Sequence, residues 1–210
     1  MKRILDINKW NRKEHFHFFS SFDEPFSGLT TEVDCTKAVQ ICKEKQYKFS
    51  LYYLHKSMLA SNEIENFRYR IEDKQVAIYD KIHGTMTVIR DDYTFGFTHF
   101  EFHADFKDFV IDALKAIQHT KNAPGLCFND NTQRPNTIHY STSPWFGFTH
   151  VHHARNYNST DSIPKIVFGK YQNKNGRLMM PVSLQGHHAL IDGYHIGLFL
   201  NAFQQYLNKG

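Results

Sequence analysis

Cysteine is scarce in this chain and shows no pairing pattern: Cys35, Cys42 and Cys127 are the 3 cysteines among 210 residues, with no CxxC spacing. An odd count without a paired motif argues against a disulfide framework and for a reducing compartment. No run approaches the ~18 apolar residues that a membrane-spanning helix needs. The opening Met1-Lys2-Arg3-Ile4-Leu5-Asp6 lacks the apolar stretch of a signal peptide, so a cytoplasmic protein is expected. A strong charge of one sign is missing as well. The formal balance is +4 and no basic run exceeds three residues, too little and too scattered for a nucleic-acid partner. No Gly/Ser-rich or Pro-rich linker and no repeat divides the chain, so residues 1–210 are expected to form one domain with a real core.

What is abundant is aromatic. There are 19 Phe, 11 Tyr and 14 His, and most of the large rings should fill a core while the remainder line an apolar ligand cavity. With 41% hydrophobic and 22% charged residues, disorder is not expected. Helical stripes follow Ser50 (Leu51, Leu54, His55, Met58, Leu59) and Asp105 (Phe106, Phe109, Val110, Ala113, Leu114, Ile117). A third runs from Tyr194 to Leu207, and Asp34 is placed to cap a shorter helix through Lys43. Strand-like runs cover Thr30–Asp34, Gln75–Tyr79, Thr85–Arg90, Phe95–Phe102, Thr137–Ser141, Lys165–Tyr171 and Leu178–His187. Asn175-Gly176 marks a hairpin tip. Paired strands with interspersed helices predict an α/β fold, a two-layer sandwich with a mixed sheet covered on one face by helices.

Chemistry concentrates where the last strand ends and the last helix begins, in Gln185-Gly186-His187-His188-Ala189-Leu190-Ile191-Asp192-Gly193-Tyr194-His195. His188 and Asp192 stand in an HxxxD arrangement. A neutral imidazole, which titrates near 6.5, can take a proton from an alcohol near neutral pH. Asp192-Gly193 suits a plain helix cap equally well, and the two roles are compatible. His150, His152 and His153 suggest metal binding only weakly, because no Cys or carboxylate accompanies them at a recognisable spacing.

The stretch HHALIDGYH resembles the HHxxxDGxH signature of the chloramphenicol acetyltransferase family. Trp10-Asn11-Arg12-Lys13-Glu14-His15-Phe16 is similar to that family's N-terminal W-x-R-x-E-H-F, and Ser141-Thr142-Ser143-Pro144-Trp145 to its S-x-x-P-W segment. The resemblance runs from Trp10 to Leu207. It implies a CoA-dependent acyltransferase fold and acetyl transfer from acetyl-CoA to a small-molecule hydroxyl, with chloramphenicol the leading acceptor and antibiotic inactivation the outcome. His188 is then the general base, Ser141 a hydrogen-bond donor to the tetrahedral oxyanion, and Asp192 the partner of Arg12. Lys48, Lys170 and Trp145 are implied near the coenzyme, and Phe18, Phe19, Thr87 and Phe95 in the acceptor pocket. No metal is expected. A homotrimer with sites between subunits is implied as well.

The chain departs from the family pattern at Phe19, where an aromatic Tyr usually stands, and at Val167, where a threonine does. Two alternatives share this fold: an acyltransferase with another alcohol or thiol acceptor, such as the dihydrolipoyl type, and a ligand-sequestering protein without catalysis. The dihydrolipoyl type is expected to carry a lipoyl domain and linker upstream. A sequestering protein would have no need of His188, Ser141 and Arg12 together.

Overall fold

The alternating run that ends at the paired histidines becomes the longest strand and the spine of the molecule. The computed structural model describes residues 1–156 and 161–209. In chain order its elements are β1 (Lys2–Ile4), α1 (Lys13–Phe19), β2 (Phe26–Asp34), α2 (Thr36–Glu44), α3 (Phe49–Glu63), β3 (Tyr69–Glu72), β4 (Gln75–Tyr79) and β5 (His83–Ile89). There follow β6 (Phe95–Phe100), α4 (Phe106–Asn122), β7 (Thr137–Ser143), β8 (Lys165–Gly169), β9 (Gln172–Lys174), β10 (Arg177–His187) and α5 (Gly193–Asn208). The main sheet has 7 strands in the order β2-β10-β8-β7-β5-β6, with β9 added to β10. It is mixed: β7 runs parallel to β5 and β8, and the other pairs are antiparallel.

Strand alternation sorts the two faces. Gly84, Tyr140, Phe168 and Phe100 point toward the helices, where the Tyr140 hydroxyl meets Ser57 of α3 at 3.2 Å, and Phe168 and Phe100 pack on Phe203 of α5 and Phe109 of α4. The residues between them in sequence (Thr85 and Thr87, His139 and Ser141, Lys165 and Val167, Ser183 and His187) form the other face, which is largely polar. Burying one apolar face under α3, α4 and α5 gives the expected two-layer arrangement.

The caps explain where two helices start. Asp105 accepts from the Lys107 and Asp108 amides at 2.7 and 3.2 Å, and Asp192 caps α5. Ser50 does not cap α3: the helix begins at Phe49, and its entry is fixed by ring packing of Tyr47 on Phe106 and Phe49 on Tyr53. Asp34 sits one residue before the cap position of α2, yet its carboxylate still takes the Thr36 amide at 2.9 Å. The Lys165–Tyr171 run stops at Gly169, opposite the end of β7 at Ser143, and β9 then pairs with β10 alone. The expected Asn175-Gly176 tip is a two-residue turn with both residues at positive φ, the geometry that favours this dipeptide.

Gln75–Tyr79 is a strand, but it lies in a separate 3-stranded sheet of order β1-β4-β3 and not in the main one. Arg70 ties it to the main body. Fully buried, it donates to the carbonyls of Pro135 and Phe67 at 2.5 and 3.0 Å and to those of Tyr69 and Thr137. Burial pulls its pKa down to about 9, so it remains charged at neutral pH and the carbonyls hold that charge.

Candidate active site

Asp192 does two jobs with its two oxygens. Oδ1 accepts the Tyr194 and His195 amides at 3.0 and 3.4 Å, and Oδ2 accepts from Arg12 Nη1 at 2.5 Å. His195 completes a capping box, its Nδ1 2.8 Å from Oδ1. Burial would raise the carboxyl pKa, but Arg12 and His195 outweigh it and hold the group down to about 2. Arg12, just before α1, also extends Nη2 to the His188 carbonyl at 3.5 Å. The His188 amide is fixed to the Pro25 carbonyl at 2.8 Å. The backbone of His188 is therefore held from both sides.

The ring of His188 is half-buried and stacked on Phe19, with centroids 4.0 Å apart and planes within 10°. Its Nδ1 is buried without a hydrogen-bond partner. Phe19 belongs to a cluster with Phe18 and Phe22, centroids 5.0 to 5.3 Å apart, in which Phe18 and Phe22 are exposed. His187 has a different environment: it is buried, edge-on to Phe26, and pushed down to about 4 by burial.

Ser141 is not beside His188 in this chain. Ser141 pairs with Val167 and Val167 with Ser183, whereas His188 lies five residues beyond Ser183. At about 3.3 Å per residue and about 4.8 Å per strand step, the two backbone positions stand roughly 19 Å apart. Thr87 continues the Ser141 row on β5, because Met86 pairs with Tyr140, and Phe97 lies opposite it on β6. Phe95 is 46% exposed and packs edge-on to Phe97. The structure thus gathers the expected residues into two groups: Arg12, Phe18, Phe19, His188 and Asp192 at one end of the sheet, and Thr87, Phe95, Ser141 and Val167 at the other.

A third cluster joins the two lysine segments. Phe49 and Tyr171 meet edge-on at 5.7 Å, which brings together the two chain segments that carry Lys48 and Lys170, both exposed. The Lys170 amide bonds the Phe146 carbonyl at 3.1 Å, so Trp145, 63% exposed, hangs from the same junction. Residues 150–153 form no strand; His150 and His152 are exposed, and His153 is half-buried with its pKa lowered by burial. Two contributors carry no role from sequence: Phe22, and His195, which closes the HHxxxDGxH signature. His195 had a readable signal, a side chain able to accept at the third helical position after a capping Asp.

Residues 2–204 match the family model described as chloramphenicol acetyltransferase. A chloramphenicol acetyltransferase of Clostridium perfringens is 32% identical, covering 98% of both chains. One of Staphylococcus aureus is 31% identical over 96% of this chain and 93% of its own. A solved structure described as a chloramphenicol acetyltransferase superposes with a TM-score of 0.91 at 34% identity, covering 99% of this chain and 100% of that one. A probable dihydrolipoamide acetyltransferase from Listeria monocytogenes, at 14% identity and a TM-score of 0.68, shares the fold. The chain belongs to the chloramphenicol acetyltransferase family.

Proposed function

We propose that this protein transfers the acetyl group of acetyl-CoA to a hydroxyl of chloramphenicol, inactivating the antibiotic. The observation that carries this reading is the clamp on His188. An aspartate that caps α5 is paired with Arg12, Arg12 reaches the His188 carbonyl, and Phe19 stacks on the imidazole. Such a base is pre-positioned by neighbours that do not themselves carry the proton.

His188 takes the proton of the acceptor hydroxyl as the oxygen attacks the thioester carbonyl, forming the new C–O bond. The tetrahedral oxyanion takes a hydrogen bond from Ser141. Collapse breaks the C–S bond, and the departing CoA thiolate receives the proton from His188. A hydroxyl aimed at the oxyanion in a dry site supplies about 3 kcal/mol. Because one chain keeps Ser141 roughly 19 Å from His188, we assign these roles to facing copies in a homotrimer with three equivalent sites between subunits. Light scattering that reports a stable, fully active monomer contradicts this.

Lys48 and Lys170 meet the coenzyme phosphates at the protein surface, where long cations suit a partly solvated anion, and Trp145 flanks them. Phe18, Phe19 and Phe95 supply aromatic area to the acceptor, and Thr87 is its polar anchor. The test is thiol release from acetyl-CoA with a panel of alcohols. Acetylation of chloramphenicol is expected. Transfer to other alcohols with none to chloramphenicol at millimolar concentration overturns the acceptor and leaves the reaction class standing.

A further inference from the structure

At the far edge of the main sheet, separated from β10 by β8 and β7, two histidines and a glutamate converge outside the proposed active site. Thr85 pairs with His99 and Gly84 with Phe100, so His83 on β5 faces Glu101, and His99 shares that face diagonally. The candidate ligand atoms of His83, His99 and Glu101 all lie within 4.8 Å of one another. His83 Nδ1 is 2.7 Å from Glu101 Oε2, and His99 Nε2 is 3.3 Å from Glu101 Oε1. These spacings bracket the roughly 3.3 Å edge of a tetrahedron with bonds of about 2.0 Å, the geometry of zinc with nitrogen and oxygen ligands.

The hydrogen bonding gives a second reason. The Phe102 amide donates to His83 Nδ1 at 3.0 Å, so that nitrogen presents a lone pair, and the Glu101 oxygen 2.7 Å away is an acceptor too. A cation placed between them would be held by a lone pair from each. Arg134 answers only for the other oxygen, Oε1, at 2.8 Å. A cleft of about 510 Å³ beside His83, bordered by Tyr79, Lys81 and Asn136, gives an ion a way in.

We propose that His83, His99 and Glu101 bind a divalent transition-metal ion of the zinc class, with solvent completing its coordination. The site pins β6 to β5 at an open sheet edge. It stands apart from the acetyl-transfer chemistry, for which no metal was expected, and its test does not depend on that chemistry.

The probe is zinc ion alone, titrated into the full-length protein by calorimetry and by thermal melting. Wild type is expected to bind one ion here and to melt at a higher temperature with zinc. His99→Gln and Glu101→Gln should each bind at least about tenfold more weakly and lose most of that rise. Glu101 lies at the surface, so its variant keeps the test decisive where His99→Gln folds poorly. Zinc-edge anomalous diffraction should place the ion between His83, His99 and Glu101. Equal affinity in wild type and both variants, or anomalous density only elsewhere, overturns the proposal.

Discussion

The two ends of the polar sheet face are built in different ways. At the His188 end, charge and short-range contacts determine nearly every atom: Arg12 on Asp192, Asp192 on the first turn of α5, Phe19 on the imidazole. At the Ser141 end, backbone register aligns Ser141, Thr87 and Val167. One end is preorganised, and the other lines up groups that wait for something to face them. A strand-and-register scaffold can position a donor as firmly as a salt bridge can, provided that the facing surface comes from elsewhere.

Removing the base should give the largest effect. His188→Ala is expected to lower turnover by ~10² to 10⁴ or more with the fold intact, read as the rate of thiol release from acetyl-CoA. His187→Ala should cost far less activity, since that ring is buried against Phe26. Equal losses from the two would move the base off His188.

Ser141→Ala probes the other end. Turnover should drop by roughly 10²-fold with little change in KM, because the oxyanion exists only after attack. A variant with full turnover and weakened substrate binding would make Ser141 a binding residue and blur the contrast between the ends.

Arg12→Ala should act mainly through stability. Asp192 loses its cation while still partly buried, so a loss of about 1–3 kcal/mol is expected by chemical denaturation near pH 7. The sign with pH follows from the depressed carboxyl. Its contribution to stability is fully present above the ordinary carboxylate pKa near 4, and it fades as pH falls through about 2. Arg12→Ala should therefore lose less on acidification than wild type, and parallel losses would mean that the ion pair does not stabilise the loop.

The fold was legible wherever a local signal decided it. Asp105 and Asp192 cap their helices, and Asn175-Gly176 turns its hairpin, because each needs only its own neighbours. The β3–β4 hairpin was hidden because its turn uses Asp73 and Lys74, both at positive φ, and a lysine there carries no turn signal. Ser50 misled because packing of Tyr47 and Phe49 overrides a missing cap. The Arg12–Asp192 pairing followed from the family resemblance. The distance between His188 and Ser141 could not, since it depends on the register of β7, β8 and β10, which no short stretch of sequence encodes. His83, His99 and Glu101 escaped notice for the same reason: His99-x-Glu101 means little until β5 lies beside it.

Phe19→Leu is expected to have the smallest effect. It removes the ring stacked on His188 while keeping apolar bulk, so KM for chloramphenicol should rise more than turnover falls in steady-state kinetics. A fall in turnover with KM unchanged would take Phe19 out of the acceptor pocket and leave it only the positioning of the base.

The central claim, that the two ends act together only between copies, is tested most directly by subunit mixing. His188→Ala and Ser141→Ala chains, each nearly inactive alone, are co-expressed and purified as mixed oligomers. If each site takes its base from one copy and its hydroxyl from the next, random assembly restores roughly a quarter of the sites, and activity should recover to about that fraction of wild type. If both groups acted within one chain, no intact site could form, and mixed oligomers no more active than the better single variant would contradict the account.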